Sequence, residues 1–355
     1  MPGTAHGGPT LAVIAREAGV SVPTVSKVVN GREDVAPHTR RRVSEVLERR
    51  GYMRRPVVRA PRDRVGGPID VVIHGLGASW ATTILSGVED AAYRVGLDIV
   101  VSAARTGTGH TGRGWLDRVA DRGTAGVLLV LVEPTPSQRE WLRHHRIPYV
   151  VLDPVSVPPP GVPSVGATNW AGGVSATEHL LRAGHRRIAV VSGPEDRLCG
   201  QARLAGYRSA MAAAGLPVLP ELIAVGDFTL ESGRRRAGDL LDLPEPPTAV
   251  FACTDQMALG VCDAARERGL TVPEDLSVVG FDDLPEARWA RPALTTVRQP
   301  LNEMASAAIG LLVRLMRGET AEADRIELST CLVKRASTSA PSLGFPAPRR
   351  GTPTG

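Results

Sequence analysis

Cysteine is scarce in this sequence. Its four residues, Cys199, Cys253, Cys262 and Cys331, are scattered without metal-ligand spacing, and Cys253 and Cys262 stand in apolar surroundings as small core residues of a reduced cytoplasm. Long hydrophobic runs are missing too: a stretch such as Val127–Val132 is far too short to cross a bilayer. No basic segment followed by an apolar one opens the chain, so a secretory signal is not expected. Catalytic signatures are thin. Gly75 and Gly77 follow a β-rich run, but Trp80 stands where the third glycine of a dinucleotide fingerprint belongs. There is no Gly-x-Ser-x-Gly elbow and no phosphate loop, and the pair His144-His145 has no further ligand at zinc spacing. These absences argue against an enzyme, a metal centre and an exported receptor.

What is present is an uneven charge. The net charge is +5, yet residues 1–65 carry 13 basic and 6 acidic side chains against 29 and 31 in the remainder, so the excess belongs to the N-terminal segment. Lysine occurs only at Lys27 and Lys334, and arginine carries the rest. A small basic segment attached to a near-neutral body is the electrostatic footprint of a polyanion binder.

Residues 1–9 lack apolar periodicity and are expected to be disordered. Thr10 can then cap a helix whose Leu11, Ile14, Ala15 and Ala18 share one face. Gly19-Val20-Ser21 interrupts it. Ser21 can cap a second short helix, Val22–Asn30, with Pro23 in its first turn, and Gly31 stops it. Pro37 opens a third helix to about Arg50, with Val43, Val46 and Leu47 inward and Gly51 after it. Three short helices with a tight glycine turn between the first two form a helix-turn-helix over residues 10–52. Residues 53–68 form a basic linker punctuated by proline and glycine. From Ile69 onward, short β-rich runs alternate with helical patterns, which predicts an α/β body of two doubly wound parallel sheets through residue 338. Residues 339–355, rich in Pro, Ser, Gly and Thr, are expected to form a disordered tail.

The run from Thr10 through Arg16-Glu-Ala-Gly-Val-Ser21 to Asn30-Gly31 resembles the helix-turn-helix of the LacI/GalR family of transcription regulators. So does Val35 through Gly51-Tyr52. Further blocks follow in the family's order: Glu178–Ile188, Arg203–Tyr207, Thr254–Gly260, Leu276–Asp283 and Leu294–Gln299. The resemblance covers about residues 10–338. It implies a sequence-specific DNA-binding regulator, probing a near-palindromic operator as a homodimer, with a periplasmic-binding-protein-like body that senses a small molecule, expected to be a sugar. No cofactor is implied. It also implies two subdomains, 69–184 with 297–321 and 185–296 with 322–338, the chain crossing near Gly184–Arg186, Pro292–Val297 and Gly318–Ala323. No leucine heptad follows Leu332, so a dimer is expected rather than a tetramer.

By position, Val22, Pro23 and Lys27 occupy the family's base-reading places. Lys27 can donate to guanine O6 and N7, while Val22 and Pro23 can pack on a thymine methyl. Thr10, Ser21, Thr24, Ser26 and Asn30 suit phosphate contacts, though Ser21 and Asn30 serve equally as helix caps. In the family a linker helix wedges a leucine into the minor groove. Here Arg59 matches a family arginine, but Pro61 stands at the leucine's place, leaving Val57, Val58 or Pro61 as the wedge.

A sugar cleft needs a flat apolar face and fixed polar groups. Aromatics make up only 4% of the chain, and Trp80, Trp170, Phe228 and Phe281 lie where strands end and helices begin. Arg203 and Asp282 fall at the family's ligand-contact positions, with Ser79, Asn169 and Thr254 as polar neighbours. Thr168 stands where the family often has an aspartate. Each residue also has an ordinary alternative: Phe281 as core, Asp282 as a turn cap, Trp170 as packing between subdomains.

Overall fold

The computed structural model describes residues 10–29, 35–49, 67–104, 114–320 and 323–342. The chain divides into two compact units, residues 1–60 and 61–355. Asn30, Arg59 and Pro61, with Val57, Val58 and most of the linker, lie outside the described residues.

The first unit contains α1 (Leu11–Glu17), α2 (Val22–Val29) and α3 (Pro37–Arg49). Its core is aliphatic: Ile14, Ala15, Ala18, Val25, Val28, Val35, Val43 and Val46 are buried together. Gly19, at φ +63°, makes the sharp turn between α1 and α2, a conformation that costs glycine little. Thr10 precedes α1 as expected, but its side chain makes no capping bond; its carbonyl accepts from Val13 and Ile14 instead. Ser21 does cap α2, its Oγ accepting from the Thr24 amide at 3.3 Å.

The second unit contains, in chain order, β1 (Ile69–Ile73), α4 (Ser79–Arg94), β2 (Ile99–Ala103), α5 (Trp115–Arg122), β3 (Gly126–Val130), α6 (Pro136–His144), β4 (Tyr149–Leu152), β5 (Ser164–Ala167), α7 (Asn169–Arg182), β6 (Ile188–Ser192), α8 (Leu198–Ala213), β7 (Ile223–Val225), α9 (Leu230–Leu241), β8 (Ala249–Ala252), α10 (Asp255–Glu267), β9 (Ser277–Asp282), α11 (Pro285–Trp289), β10 (Thr295–Arg298), α12 (Leu301–Met316), β11 (Arg325–Leu328) and β12 (Cys331–Val333). They form two six-stranded sheets, ordered β11-β5-β4-β3-β1-β2 and β12-β10-β9-β8-β6-β7. Every pairing is parallel except β10 with β12. Inner strands such as β1, β3, β6 and β9 are buried along their whole length, which is why they read as unbroken apolar runs: helices cover both faces of a parallel sheet.

The crossings between sheets differ from expectation. The chain leaves the first sheet at Thr168, between β5 and α7, and α7 packs on α8 and the second sheet. It returns after β10, which pairs with β9, and leaves again between β11, which pairs with β5, and β12, which pairs with β10. The expected crossings near 184–186, 292–297 and 318–323 are therefore displaced. The reason for the first is tertiary: Gly173 and Gly206 let α7 and α8 touch backbone to backbone, and an added Cβ on Gly173 would sit 2.3 Å from the Arg203 carbonyl oxygen. Two crossings are stitched together, with the Thr330 amide donating to Thr168 Oγ1 at 3.0 Å and the Thr168 amide to the Leu328 carbonyl at 2.9 Å.

The ordered body also runs past the expected boundary at 338. The Ser339 amide donates to Ser277 Oγ at 3.0 Å, and its carbonyl lies 3.0 Å from His185 Nε2. The description extends to Ser342. The segment that polar composition suggested as a tail instead pairs its Ser339 backbone with Ser277 at the start of β9, while the Ser339 hydroxyl donates to the Pro273 carbonyl.

Candidate functional site

In the first unit, α2 separates two faces. Val25 and Val28 point into the core, while Ser21, Val22, Pro23 and Lys27 are exposed and Thr24 and Ser26 half-exposed. Residues four apart stack along a helix, so Pro23 lies beside Lys27 and Val22 beside Ser26 in two adjacent rows. The structure therefore brings the described base-reading candidates onto one solvent-facing surface. Ser21 holds Thr24 through both its capping bond and a 2.8 Å hydroxyl contact, which fixes the helix start.

In the second unit the site grows from strand ends. Asp153 follows β4, Asp282 ends β9 and Asp283 follows it, all at positive φ (53°, 116° and 60°). Non-glycine residues rarely adopt such angles, and strain of this kind is held where the surrounding structure fixes it. Asp283 is gripped by Arg335 Nη2 at 2.5 Å and Arg298 Nε at 2.7 Å, with Arg288 at 3.7 Å. Asp255, wholly buried, accepts from Thr296 Oγ1 at 2.5 Å and the Leu284 amide at 2.8 Å.

Arg203 is buried at the centre. Its Nε donates to Asn169 Oδ1 at 2.8 Å, its Nη1 donates to the Cys253 carbonyl at 2.5 Å, and Nη1 lies 3.6 Å from Asp282 Oδ1. The guanidinium sits over the Phe281 ring. Asp282 also accepts from Gln299 Nε2 at 2.7 Å, while Gln299 Oε1 is buried and unpartnered among the described residues. Burial pushes the Asp282 carboxyl up to about 7, against the opposing pull of Arg203 and Gln299. Burial likewise raises Asp153, opposed by Arg203, and raises Asp255 well above its usual range, with the Asp282 charge adding to the effect.

Beside this centre lies a cavity of about 280 Å³ walled by strand ends of the first sheet and by α7 and α8, which pack with the second: Asp153 and Pro154, Ser164, the stretch Gly166–Ala171 around Thr168 and Asn169, the α8 residues Leu198, Cys199 and Ala202, and Arg325 and Glu327 of β11. Trp170, 52% exposed, is among the residues that line it. A second groove of about 420 Å³ is lined by Thr83, Asp282, Asp283, Arg288, Trp289, Arg298, Gln299 and the start of α12.

Of the expected ligand residues, Asn169 and Trp170 line the cavity and Asp282 the groove, with Arg203 behind them. Trp170 is exposed, not packed between subdomains. Phe281 is fully buried and is a support for Arg203, not an open face. Thr254 caps α10, accepting from the Met257 amide at 3.2 Å. Phe228 packs over Gly193, where an added Cβ would meet its ring at 2.2 Å. Ser79 and Trp80 open α4 rather than a loop, and Trp80 packs against the first-sheet core. None of these last four lines the cavity or the groove. Sequence reasoning missed Asp153, Arg325, Glu327 and Gln299. The signal for Asp153 was an acid directly after the apolar run Tyr149–Leu152; for β11 it was the alternation Arg325-Ile-Glu-Leu328.

Residues 10–55 match the family described as bacterial regulatory proteins, lacI family, and residues 177–338 match the periplasmic binding protein-like domain. The chain is 36% identical over 335 residues to the HTH-type transcriptional regulator CelR of Thermobifida fusca, spanning 93% of this chain and 98% of that one. A solved transcriptional regulator CelR-cellobiose complex superposes with a TM-score of 0.70 at 36% identity, covering 93% of this chain and 99% of that one. The lac repressor dimer bound to operator and the anti-inducer ONPF gives a TM-score of 0.67 at 27% identity, covering 94% and 100%. With its helix-turn-helix, its two-sheet body and relatives matched over nearly their whole length, the chain belongs to the lacI family of bacterial DNA-binding transcription regulators.

Proposed function

We propose that the chain works in the cytoplasm as a homodimer on a near-palindromic operator, and that a sugar held in the cavity sets its affinity for that DNA. The observation that carries this reading is the composition of the cavity wall. An aromatic residue, a buried carboxylate and amide and hydroxyl groups come from strand ends of the first sheet and from α7 around the crossing at Thr168, with α8 opposite. A ligand contacting both halves favours one relative arrangement of them by its differential affinity, and no other source of bias is needed. The relatives support the two partners: CelR forms a complex with cellobiose, and the lac repressor dimer binds operator. Base reading falls to Val22, Pro23 and Lys27, with Ser21, Thr24 and Ser26 toward phosphates. Relief of repression by the sugar is the sense of the switch.

Selection of bound genomic fragments by the purified protein, followed by operator binding with a panel of mono- and disaccharides, tests the proposal. One class of sugar should lower operator affinity. Affinity should fall steeply with salt, as counterion release requires. A chain beginning at Gly67 should keep sugar binding and lose the operator. Operator binding by that shortened chain, or indifference to every sugar, would overturn the reading.

A further inference from the structure

Asp153 is a cavity carboxyl that feels the charge of Arg203 but receives no hydrogen bond from the surrounding protein among the described residues. It is 5% exposed and lines the cavity, yet among the described residues nothing hydrogen-bonds its carboxylate. The two other buried carboxylates near it are served: Asp255 by Thr296 and Leu284, Asp282 by Gln299. Arg203 is the only buried lysine or arginine among the described residues, and its bonds go to Asn169 and the Cys253 carbonyl. Across the cavity, Glu327 is already matched by Arg325 at 2.5 Å. Of these buried carboxyls, Asp153 alone has no hydrogen bond from a protein group among the described residues, and it is the one that lines the cavity. Asp153 is also held at φ +53°, so its position is imposed by the fold.

We propose that the effector is a carbohydrate bearing a protonated amine, its ammonium paired with Asp153 and its ring laid on Trp170. This rests on the cavity being the effector site. A hydroxyl would give Asp153 a hydrogen bond but add no charge to that of Arg203, which Asp282 shares. An ammonium supplies donors and a full opposite charge, and a buried charge is tolerable only when paired and hydrogen-bonded. Trp170 favours the same ligand, since an indole face attracts both the C–H side of a sugar ring and a nearby cation. Burial raises the Asp153 carboxyl, and an adjacent ammonium would draw it back down, so ligand and site each hold the other in the charged form.

Calorimetric titration of the full-length protein tests this with matched trios: D-glucosamine, D-galactosamine and 6-amino-6-deoxy-D-glucose, each beside its hydroxyl and N-acetyl counterparts. In at least one trio the amine should bind about tenfold tighter than both counterparts or better. Asp153→Asn should remove that advantage, so that the amine binds no tighter than the better of its two neutral counterparts. A second reading needs no variant: amine affinity should fall as pH rises past the amine's own pKa, while the neutral member of the trio shows no such fall. Equal or tighter binding of neutral counterparts in every trio would refute the proposal, as would an amine advantage that survives Asp153→Asn. Neutral sugars alone binding would leave the effector site standing without the amine. No carbohydrate binding at all would remove both.

Discussion

The guanidinium carbon of Arg203 lies 3.8 Å from the centre of the Phe281 ring, with both residues buried. The ring supports one face of the fork while its edge donors hold Asn169 and the Cys253 carbonyl. Arg203 thus joins the first turn of α7 to the end of β8 and offsets the charge of Asp282. It is a structural residue of the body.

Removing that cation should destabilise the body. Arg203→Ala leaves Asp282 and Asp153 buried without their counter-charge, and loss of one partner from such a pair costs about 3–5 kcal/mol. Arg203→Lys keeps the charge but loses the planar fork, so a smaller cost of roughly 1–3 kcal/mol is expected. Urea unfolding of the two variants measures both. Equal stability of Arg203→Ala and the unaltered protein would show that the charge is offset elsewhere.

The contact between α7 and α8 depends on glycine. An added Cβ on Gly206 would meet the Trp170 carbonyl oxygen at 2.3 Å and the Val174 amide nitrogen at 2.8 Å, both backbone atoms that cannot swing aside. Gly206→Ala should cost about 1–3 kcal/mol or more by overpacking, and should weaken ligand binding by displacing Trp170 and Asn169. Thermal unfolding and sugar titration on the same sample check the two together.

Trp170→Ala should behave oppositely. The ring is 52% exposed, so stability should change by no more than about 0.5 kcal/mol while carbohydrate affinity drops. A large loss of stability with unchanged affinity would make Trp170 a packing residue.

Stability should carry a pH signature from Asp282. Its carboxyl is raised to about 7 by burial, opposed by Arg203 of α8 and Gln299 after β10, and reinforced by Asp153 after β4 and Glu286 of α11. Asp255 of α10 is raised in the same sense, by burial first and then by the Asp282 charge. The folded protein keeps a proton that the unfolded chain gives up near pH 4, so this contribution is full below about pH 4 and is lost as pH rises toward about 7. His179 and His185, lowered by burial, act in the opposite direction. The difference between the unaltered protein and Asp282→Asn isolates the carboxyl: their stability gap should change between about pH 4 and 7 and level off above. A gap independent of pH would remove the shift.

On DNA, Lys27→Ala should cost roughly 1–3 kcal/mol and relax preference at one base pair per half-site. Anisotropy titrations with single-substitution operators distinguish this from a phosphate contact, whose loss would weaken all sequences alike.

Much of this protein is written locally. The glycine turn at Gly19, the spacing of Ile14, Val25, Val43 and Val46, and the alternation of apolar runs with helical patterns each depend on neighbours in sequence, so the helix-turn-helix and the two-sheet body were legible from residue order alone. Asn169 and Trp170 could also be singled out because they stand where a strand gives way to a helix, and Arg203 because it heads a recognisable block. Which sheet α7 would join was not legible, because close approach of Gly173 and Gly206 is a contact between two helices, invisible until both are placed. The same holds for Phe281, read either as a ligand face or as core and found buried beneath a guanidinium, and for Asp153, which lines the cavity without a hydrogen bond from the described residues. Periodicity records which side of an element is apolar. Which charge faces which, and which is left facing a cavity, is decided only when strands distant in sequence bring their ends together.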